Sequence, residues 1–352
     1  MNTGWLESDR LAALIDRFAS CRIAVCGDYF LDKYLEVDPE LQESSLETGK
    51  PAHQIVGIRC SPGAAGTVVS NLASLGTGHL HAIGVVGDDG EAYDLRQALR
   101  RLGCSDEHLF TANGRFTPTY LKPRDRNIRG LAGEHSRYDT KNRRPTPEAI
   151  QRRLIASLEA VSQTVDALVV MDQVEEAECG VVTRAVREGL TRQARAMPEV
   201  IFWADSRRRI RNFRGVVIKP NQFEAVGMVD PPPDAEVAFA TLCDAAQQMR
   251  HDNDAPIVVT RGAKGMLVSD PDWTIVPGVS LGGEVDTTGA GDSATAGTVL
   301  ALAAGATLPE AAVVGNLVAS ITVQQLATTG VARPDQLPER LAQWQQQAGR
   351  AS

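Results

Sequence analysis

Aromatic side chains are scarce in this 352-residue chain, only 5% of it, so a core has to rest on aliphatic residues. Basic residues are outnumbered, 36 against 44 acidic, for a net charge of -8. That balance argues against a general nucleic-acid binder, whose phosphate contacts need a basic field. Six cysteines (Cys21, Cys26, Cys60, Cys104, Cys179, Cys243) form no CxxC pair and have no histidine at zinc spacing. They read as reduced, mostly buried thiols. The opening MNTGWLESDR lacks a basic segment followed by an apolar run, so no secretory signal is expected. Residues 293–309 and 311–332 carry no charge, but Gly297, Gly305, Pro309, Asn316, Gln324 and Gln325 interrupt them. Two buried helices are expected there and no membrane span. The expected compartment is the cytoplasm.

What is present is ordinary for a globular protein: 43% hydrophobic and 23% charged residues, which disfavours disorder. Thirty-one glycines and many alanines point to closely packed helices and tight turns. Short β-branched runs alternate with helical patterns. RIAVCGD (22–28), HLHAIGVVG (79–87), DALVVMD (166–172), VIFWAD (200–205), GVVIKPN (215–221) and PIVVTRG (256–262) read as strands. They are nearly continuous in apolar residues, as parallel strands covered on both faces should be. Helices are predicted near 64–76, 88–102, 146–163, 178–197, 222–227 and 236–251. The alternation predicts an α/β fold with a doubly wound, mainly parallel sheet. Residues 33–61 and 115–140 break the pattern and read as β excursions that pair into one small sheet, a lid over the strands' C-terminal ends. The whole chain, 1–352, is expected to be one domain, with DPPPDAE (230–236) as a surface loop.

The strongest chemical signal is EVDTTGAGDSATAGTVLALAAG (284–305). A strand-like start leads through Asp286, Thr287, Thr288, Gly289, Ala290, Gly291 and Asp292 into an Ala-rich helix. Small residues admit close backbone approach, and N–H groups at a helix start attract anions. A carboxylate at Asp292 would repel a phosphate, yet it fits a base that takes the proton of an attacking hydroxyl. The plainer reading is a glycine-rich turn with Asp292 favourable at the helix start. No GxxxxGK[ST] occurs, and GxG at 289–291 lacks a third glycine at 294, so a P-loop or dinucleotide fold is not expected.

DTTGAGDS resembles the C-terminal signature of the PfkB-type, ribokinase-like carbohydrate kinases, and other landmarks follow in that family's order across about residues 22–332. Gly27-Asp28 through Leu31-Asp32-Lys33-Tyr34 resembles the first strand with its sugar-binding Asp. Pro62-Gly63-Ala64-Ala65-Gly66-Thr67 resembles the N-terminal signature. Lys219-Pro220-Asn221-Gln222-Phe223-Glu224 carries the Asn-x-x-Glu motif, and Thr260-Arg261-Gly262-Ala263-Lys264-Gly265 resembles the nucleotide-binding turn. Each has a structural rival. Asp28 and Asp32 could be loop acids, Asn221 and Glu224 a capping box, Gly262 and Gly265 a hairpin turn, and Asn316 a core polar residue.

In detail the chain resembles the heptose-phosphate kinase branch, through Gly27-Asp28-Tyr29-Phe30-Leu31-Asp32-Lys33-Tyr34 and Arg137-Tyr138-Asp139. It departs from that branch where Ala64 and Thr67 replace Gly and Asn, and where Asp205-Ser206-Arg207 replaces Asp-Pro-Lys. Both the loop at Arg207, Arg208, Arg209, Arg211 and Arg214 and the lid (Lys122, Arg124, Arg126, Arg129, Arg137) are basic, which fits a charged substrate. The histidines have no metal spacing.

The resemblance implies an ATP-dependent sugar or sugar-phosphate kinase. Thr260, Gly262, Gly265 and Asn316 would hold ATP, and Asn221 and Glu224 would organise magnesium through water. Asp28, Asp32, Gly63, Ala64, Thr67 and Arg137 would face the sugar. Asp292 would act as base beside the 289–291 amides, with potassium near Asp286 and a homodimer formed through the lid. A nucleoside or simple-sugar kinase, or a non-catalytic protein on the same fold, remains open.

Overall fold

The computed structural model describes residues 6–128, 131–326 and 329–350; Arg129 lies outside them. In chain order the first elements are α1 (Ser8–Phe18), β1 (Arg22–Gly27), β2 (Tyr29–Ser44), β3 (Pro51–Ala64), α2 (Ala65–Ser74), β4 (His79–Val86) and α3 (Gly90–Arg101). Next come β5 (Cys104–Thr111), β6 (Thr119–Asp125), β7 (Tyr138–Thr140), α4 (Glu148–Ser162), β8 (Ala167–Asp172), α5 (Arg184–Ala196), β9 (Ile201–Ser206) and β10 (Val217–Ile218). The last are α6 (Gln222–Ala225), α7 (Phe239–Asn253), β11 (Val258–Thr260), β12 (Met266–Val268), β13 (Thr274–Val276), α8 (Ala290–Ala303), α9 (Leu308–Thr322) and α10 (Leu337–Arg350).

Six strands form one parallel sheet in the order β10-β9-β8-β1-β4-β5. Its buried strands point alternate side chains into two cores, as a period of two requires. Ile23, Val25, Val169, Met171 and Trp203 face a core shared with α1, α2, α3, α8, α9 and α10. Ala24, Cys26, Leu168, Val170 and Phe202 face a second core against α4, α5 and α7. Helices on both faces make the sheet doubly wound.

Two smaller sheets flank it. One has the order β3-β2-β6-β7 and joins strands from 29–64 to strands from 119–140. It begins earlier than residue 33, because β1 passes through Asp28 directly into β2. Lys33 ties it to α3 through Glu91 and Asp94, at 3.3 and 3.1 Å. The other is antiparallel, β11-β12-β13. The 256–262 run therefore pairs mainly there, although bridges Ile218–Ile257 and Asn221–Thr260 continue the parallel direction from β10.

Other departures have local causes. The helix expected from 178 starts at Arg184, with the Thr183 side chain capping it, because residues 173–181 are drawn onto Asp28. Strand β5 (CSDEHLFT) is a polar edge strand with little apolar signal. The uncharged stretches form α8 and α9, and no described helix is long and apolar enough to cross a membrane.

Candidate functional site

Asp292 lies in the first turn of α8, whose N-cap, Gly289, has φ 76°. Few side chains tolerate that left-handed geometry, and a Cβ there would also press on the Thr67 methyl at 3.4 Å. The site loop and the N-terminal turn of α2 therefore touch. Asp286 fixes the loop's start: its Oδ1 accepts from Thr288 N–H at 3.0 Å and its N–H donates to the Val323 carbonyl at 2.8 Å. Ala290 N–H is taken by the Thr287 carbonyl, so it is not the amide donor expected from the sequence. The Gly289, Gly291 and Asp292 N–H groups have no acceptor among the described residues, and they start a helix 14 residues long. That is an anion-attracting end.

Beneath this turn lies an ion pair with no role assigned from the sequence. Lys219 follows β10 and Asp205 is the penultimate residue of β9, so both stand at the C-terminal ends of adjacent strands, where open α/β sheets bind ligands. Lys219 Nζ lies 2.7 Å from Asp205 Oδ2, and both side chains are buried. The sequence signal was two apolar strands, VIFWAD and GVVIK, each closing on a charge of opposite sign.

Asn221 opens α6 and accepts from Phe223 N–H and Glu224 N–H at 2.8 and 2.9 Å; Glu224 returns a bond from Asn221 N–H at 2.8 Å. The capping box is real. Only one Glu224 oxygen is used in it. Burial and the Asp205 charge push Glu224 up to about 7, against the opposing pull of the Asn221 N–H, Lys219 and Arg207. Burial and Asp205 likewise push Asp292 up to about 7, with Lys219 and Arg207 opposing. Three carboxylates thus share two cations. No described group of three metal-ligating side chains surrounds a point. This donor set suits magnesium, which keeps most of its waters and takes few protein oxygens.

On the other side of the loop, a cavity of about 320 Å³ gathers Thr260, Gly262, Gly265, Gly291 and Asn316, with Met266, Val279 and Val285 giving it apolar walls. Gly262 and Gly265 also form the tight turn, through Gly265 N–H to Gly262 O at 3.0 Å. The Asn316 Nδ2 donates to the Pro277 carbonyl at 3.0 Å, pinning the cavity wall. Both the ligand-facing and the structural reading describe these three residues.

The expected sugar-side residues divide. Asp32 is buried and paired with Lys122 at 2.6 Å. Gly63 lies against it: a Cβ would sit 2.7 Å from Asp32 Oδ2. Ala64 caps α2 at φ 53°, ψ -117°, a conformation that disfavours any side chain. Asp28 has a different task. It is 3% exposed, and its carboxylate accepts from Gln173, Val174 and Val181 N–H at 2.9, 3.0 and 2.7 Å. That anchors the 173–181 loop and corrects the expectation of sugar contact, since the oxygens are occupied and covered.

Most of the basic cluster is also engaged. Arg209 holds the fully buried Asp172 at 2.6 Å, Arg208 meets Asp230 at 2.9 Å, and Arg126 meets Asp38 at 3.2 Å. Arg211 donates to the Ala225 carbonyl. Arg137 forms a two-pronged pair with Asp139 and stacks over the Tyr120 ring at 4.3 Å.

Residues 34–335 match the pfkB family carbohydrate kinases. The bifunctional protein HldE of Hyphomonas neptunium is 29% identical over 337 residues, covering 92% of this chain and 64% of that protein. HldE of Gluconobacter oxydans is 28% identical, covering 96% and 67%. The chain spans about two thirds of the length of these relatives. Among solved structures, phosphofructokinase-2 from Escherichia coli in complex with potassium superposes with a TM-score of 0.68 at 20% identity, over 92% of this chain and 99% of that one. Ribokinase from Cryptococcus neoformans in complex with ADP gives 0.60 at 20%, over 91% and 99%. The fold is ribokinase-like, and the chain belongs to the pfkB family of carbohydrate kinases, phosphotransferases with an alcohol group as acceptor.

Proposed function

We propose that the protein transfers the γ-phosphoryl group of ATP to a hydroxyl of a sugar phosphate, with a heptose phosphate as the favoured acceptor. The observation that carries this reading is Asp292 itself: a carboxylate pushed up to about 7, in the first turn of a helix where the Gly289, Gly291 and Asp292 N–H groups are unengaged, between an apolar cavity and a charged cluster. A group with that pKa takes a proton at neutral pH and holds it weakly enough to release it. ATP would occupy the cavity at Thr260, Gly262, Gly265 and Asn316. The amides of Gly289, Gly291 and Asp292 would hold the transferring group.

Asn221 and Glu224 would hold magnesium through water, and magnesium when bound neutralises phosphate charge. Potassium near Asp286 is supported by the potassium complex of phosphofructokinase-2, which shares this fold. The acceptor would lie against Asp32, Gly63, Ala64 and Thr67. The likeness in motif to the heptose-phosphate kinase branch, together with the HldE relatives, supports the acceptor class.

The whole chain would act as one kinase domain, with the 33–61 and 115–140 excursions as a lid that excludes water. Exposed Leu41, Ile55, Val56 and Ile58 on that small sheet support pairing of two chains through it. We place the protein in the cytoplasm, where ATP and reduced thiols are found.

The test is ATP consumption over heptose, heptose phosphate and nucleosides. Heptose phosphate should give the highest kcat/KM, through a lower KM, and the advantage should shrink as salt rises. Equal or better turnover of the unphosphorylated sugar would overturn the acceptor assignment, and turnover of a nucleoside alone would move the protein to another substrate class.

A further inference from the structure

Arg207 stands apart from its basic neighbours. Its N–H is held by the Asp172 carbonyl at 3.1 Å, so its backbone position at the end of β9 is fixed. Arg209 turns inward to Asp172 and Arg208 turns to Asp230, whereas among the described residues the Arg207 guanidinium meets only Glu175, at 3.8 Å. Its side chain is 56% exposed. It lines both the cavity beside Asn221 and Glu224 and the cleft between the two sheets beside Phe30, Tyr120 and Gln173.

Tyr120 comes from the other side of that cleft, on β6. Arg137 covers its ring at 4.3 Å, and the ring also packs on Phe30 at 5.2 Å. Asp139 occupies two of the five Arg137 N–H groups, and the other three have no hydrogen bond among the described residues. The Tyr120 hydroxyl has no hydrogen bond among the described residues. Burial raises the Tyr120 phenol, and the charges that oppose the rise are those of Arg137 and Arg207, one beside each sheet. Arg207 also acts on Asp292 and Glu224, so the same guanidinium lies within electrostatic reach of the proposed base.

We infer that Arg207 and Arg137, together with the Tyr120 hydroxyl, form a split clamp for the phosphate already present on the acceptor, with one arginine next to β9 of the large sheet and one next to β7 of the small sheet. This rests on the sugar-phosphate reading above and adds the residues that select it. A guanidinium presents parallel N–H donors that match phosphate oxygens, and two of them with a phenol complete the shell. The cleft is narrow as it stands, about 10 Å³. Glu175 and Glu176 also line it, so binding would require the exposed Arg207 to exchange Glu175, 3.8 Å away, for the phosphate.

The test compares kcat/KM for heptose phosphate with that for heptose in the wild type, Arg207→Met, Arg207→Lys and Tyr120→Phe. The wild-type ratio should favour the phosphorylated sugar, and Arg207→Met should lower that ratio at least tenfold, mainly through KM. Arg207→Lys should fall between, because it keeps charge and loses paired donors, and Tyr120→Phe should lower the ratio by a smaller factor. A wild-type preference that Arg207→Met leaves intact would overturn the clamp alone. A wild type without preference would overturn the sugar-phosphate reading and the clamp together. Arg207 is exposed, so unchanged thermal unfolding should accompany the change in specificity.

Discussion

Lys219 Nζ sits 2.7 Å from Asp205 Oδ2, and this buried pair acts, after burial itself and along with Arg207, on both Glu224 and Asp292. Asp205 raises both groups and Lys219 lowers both. Removing the cation alone should therefore harm folding and chemistry together. Lys219→Met should destabilise the protein by about 3–5 kcal/mol in denaturant titration, because it strands a buried carboxylate. Lys219→Met with Asp205→Asn should recover a large part of that loss. A small effect of the single change would mean that the pair is solvated.

A second outcome concerns pH. A base that must be ionised loses activity as protons return, so kcat/KM should fall as pH drops through about 7, roughly tenfold per unit below it. Stability runs the opposite way. A carboxyl raised from its usual value of about 4 binds a proton more readily when folded, so stability from this group grows as pH falls from about 7 toward 4. A rate profile flat down to pH 5.5 would contradict the assignment of Asp292.

The metal can be separated from the capping box at Glu224. Glu224→Gln keeps an oxygen for Asn221 N–H, so thermal stability should hold. Its lost charge should raise the magnesium concentration needed for half-maximal activity by about tenfold. Unchanged magnesium dependence would leave Glu224 as a cap only.

Ala64 offers a test on the backbone. At φ 53°, ψ -117° it carries strain of about 1–3 kcal/mol, partly offset in a glycine variant by the greater entropy of the unfolded chain. Ala64→Gly should raise the unfolding midpoint by the equivalent of about 1 kcal/mol. A lower midpoint would show that the methyl packs well enough to outweigh its conformation.

The parallel sheet was legible because Ile23–Cys26, Leu168–Met171 and Phe202–Ala204 are short β-branched or apolar runs, apolar on both faces, that alternate with helical segments, as a doubly covered sheet requires. Strand β5 and the hairpin strands β12 and β13 were not, since edge and short strands carry mixed polarity. At the site, the glycine-rich loop and the Asn221–Glu224 spacing are local and could be read. Asp205 with Lys219, Arg207 with Tyr120, and the Asp28 anchor on residues 173–181 join segments far apart in sequence, and only folding brings them together.

The central claim, that Asp292 removes the acceptor proton, is tested most directly by the kcat of Asp292→Asn. Asparagine keeps the size and stays compatible with the helix start, and it removes a charge that burial disfavours, so unfolding at pH 8 should be unchanged or shifted upward. Loss of the base should lower kcat by about 10²–10⁴-fold, with ATP affinity held or improved. A folded variant with near wild-type kcat, or one whose lost activity tracks unfolding, would contradict the account.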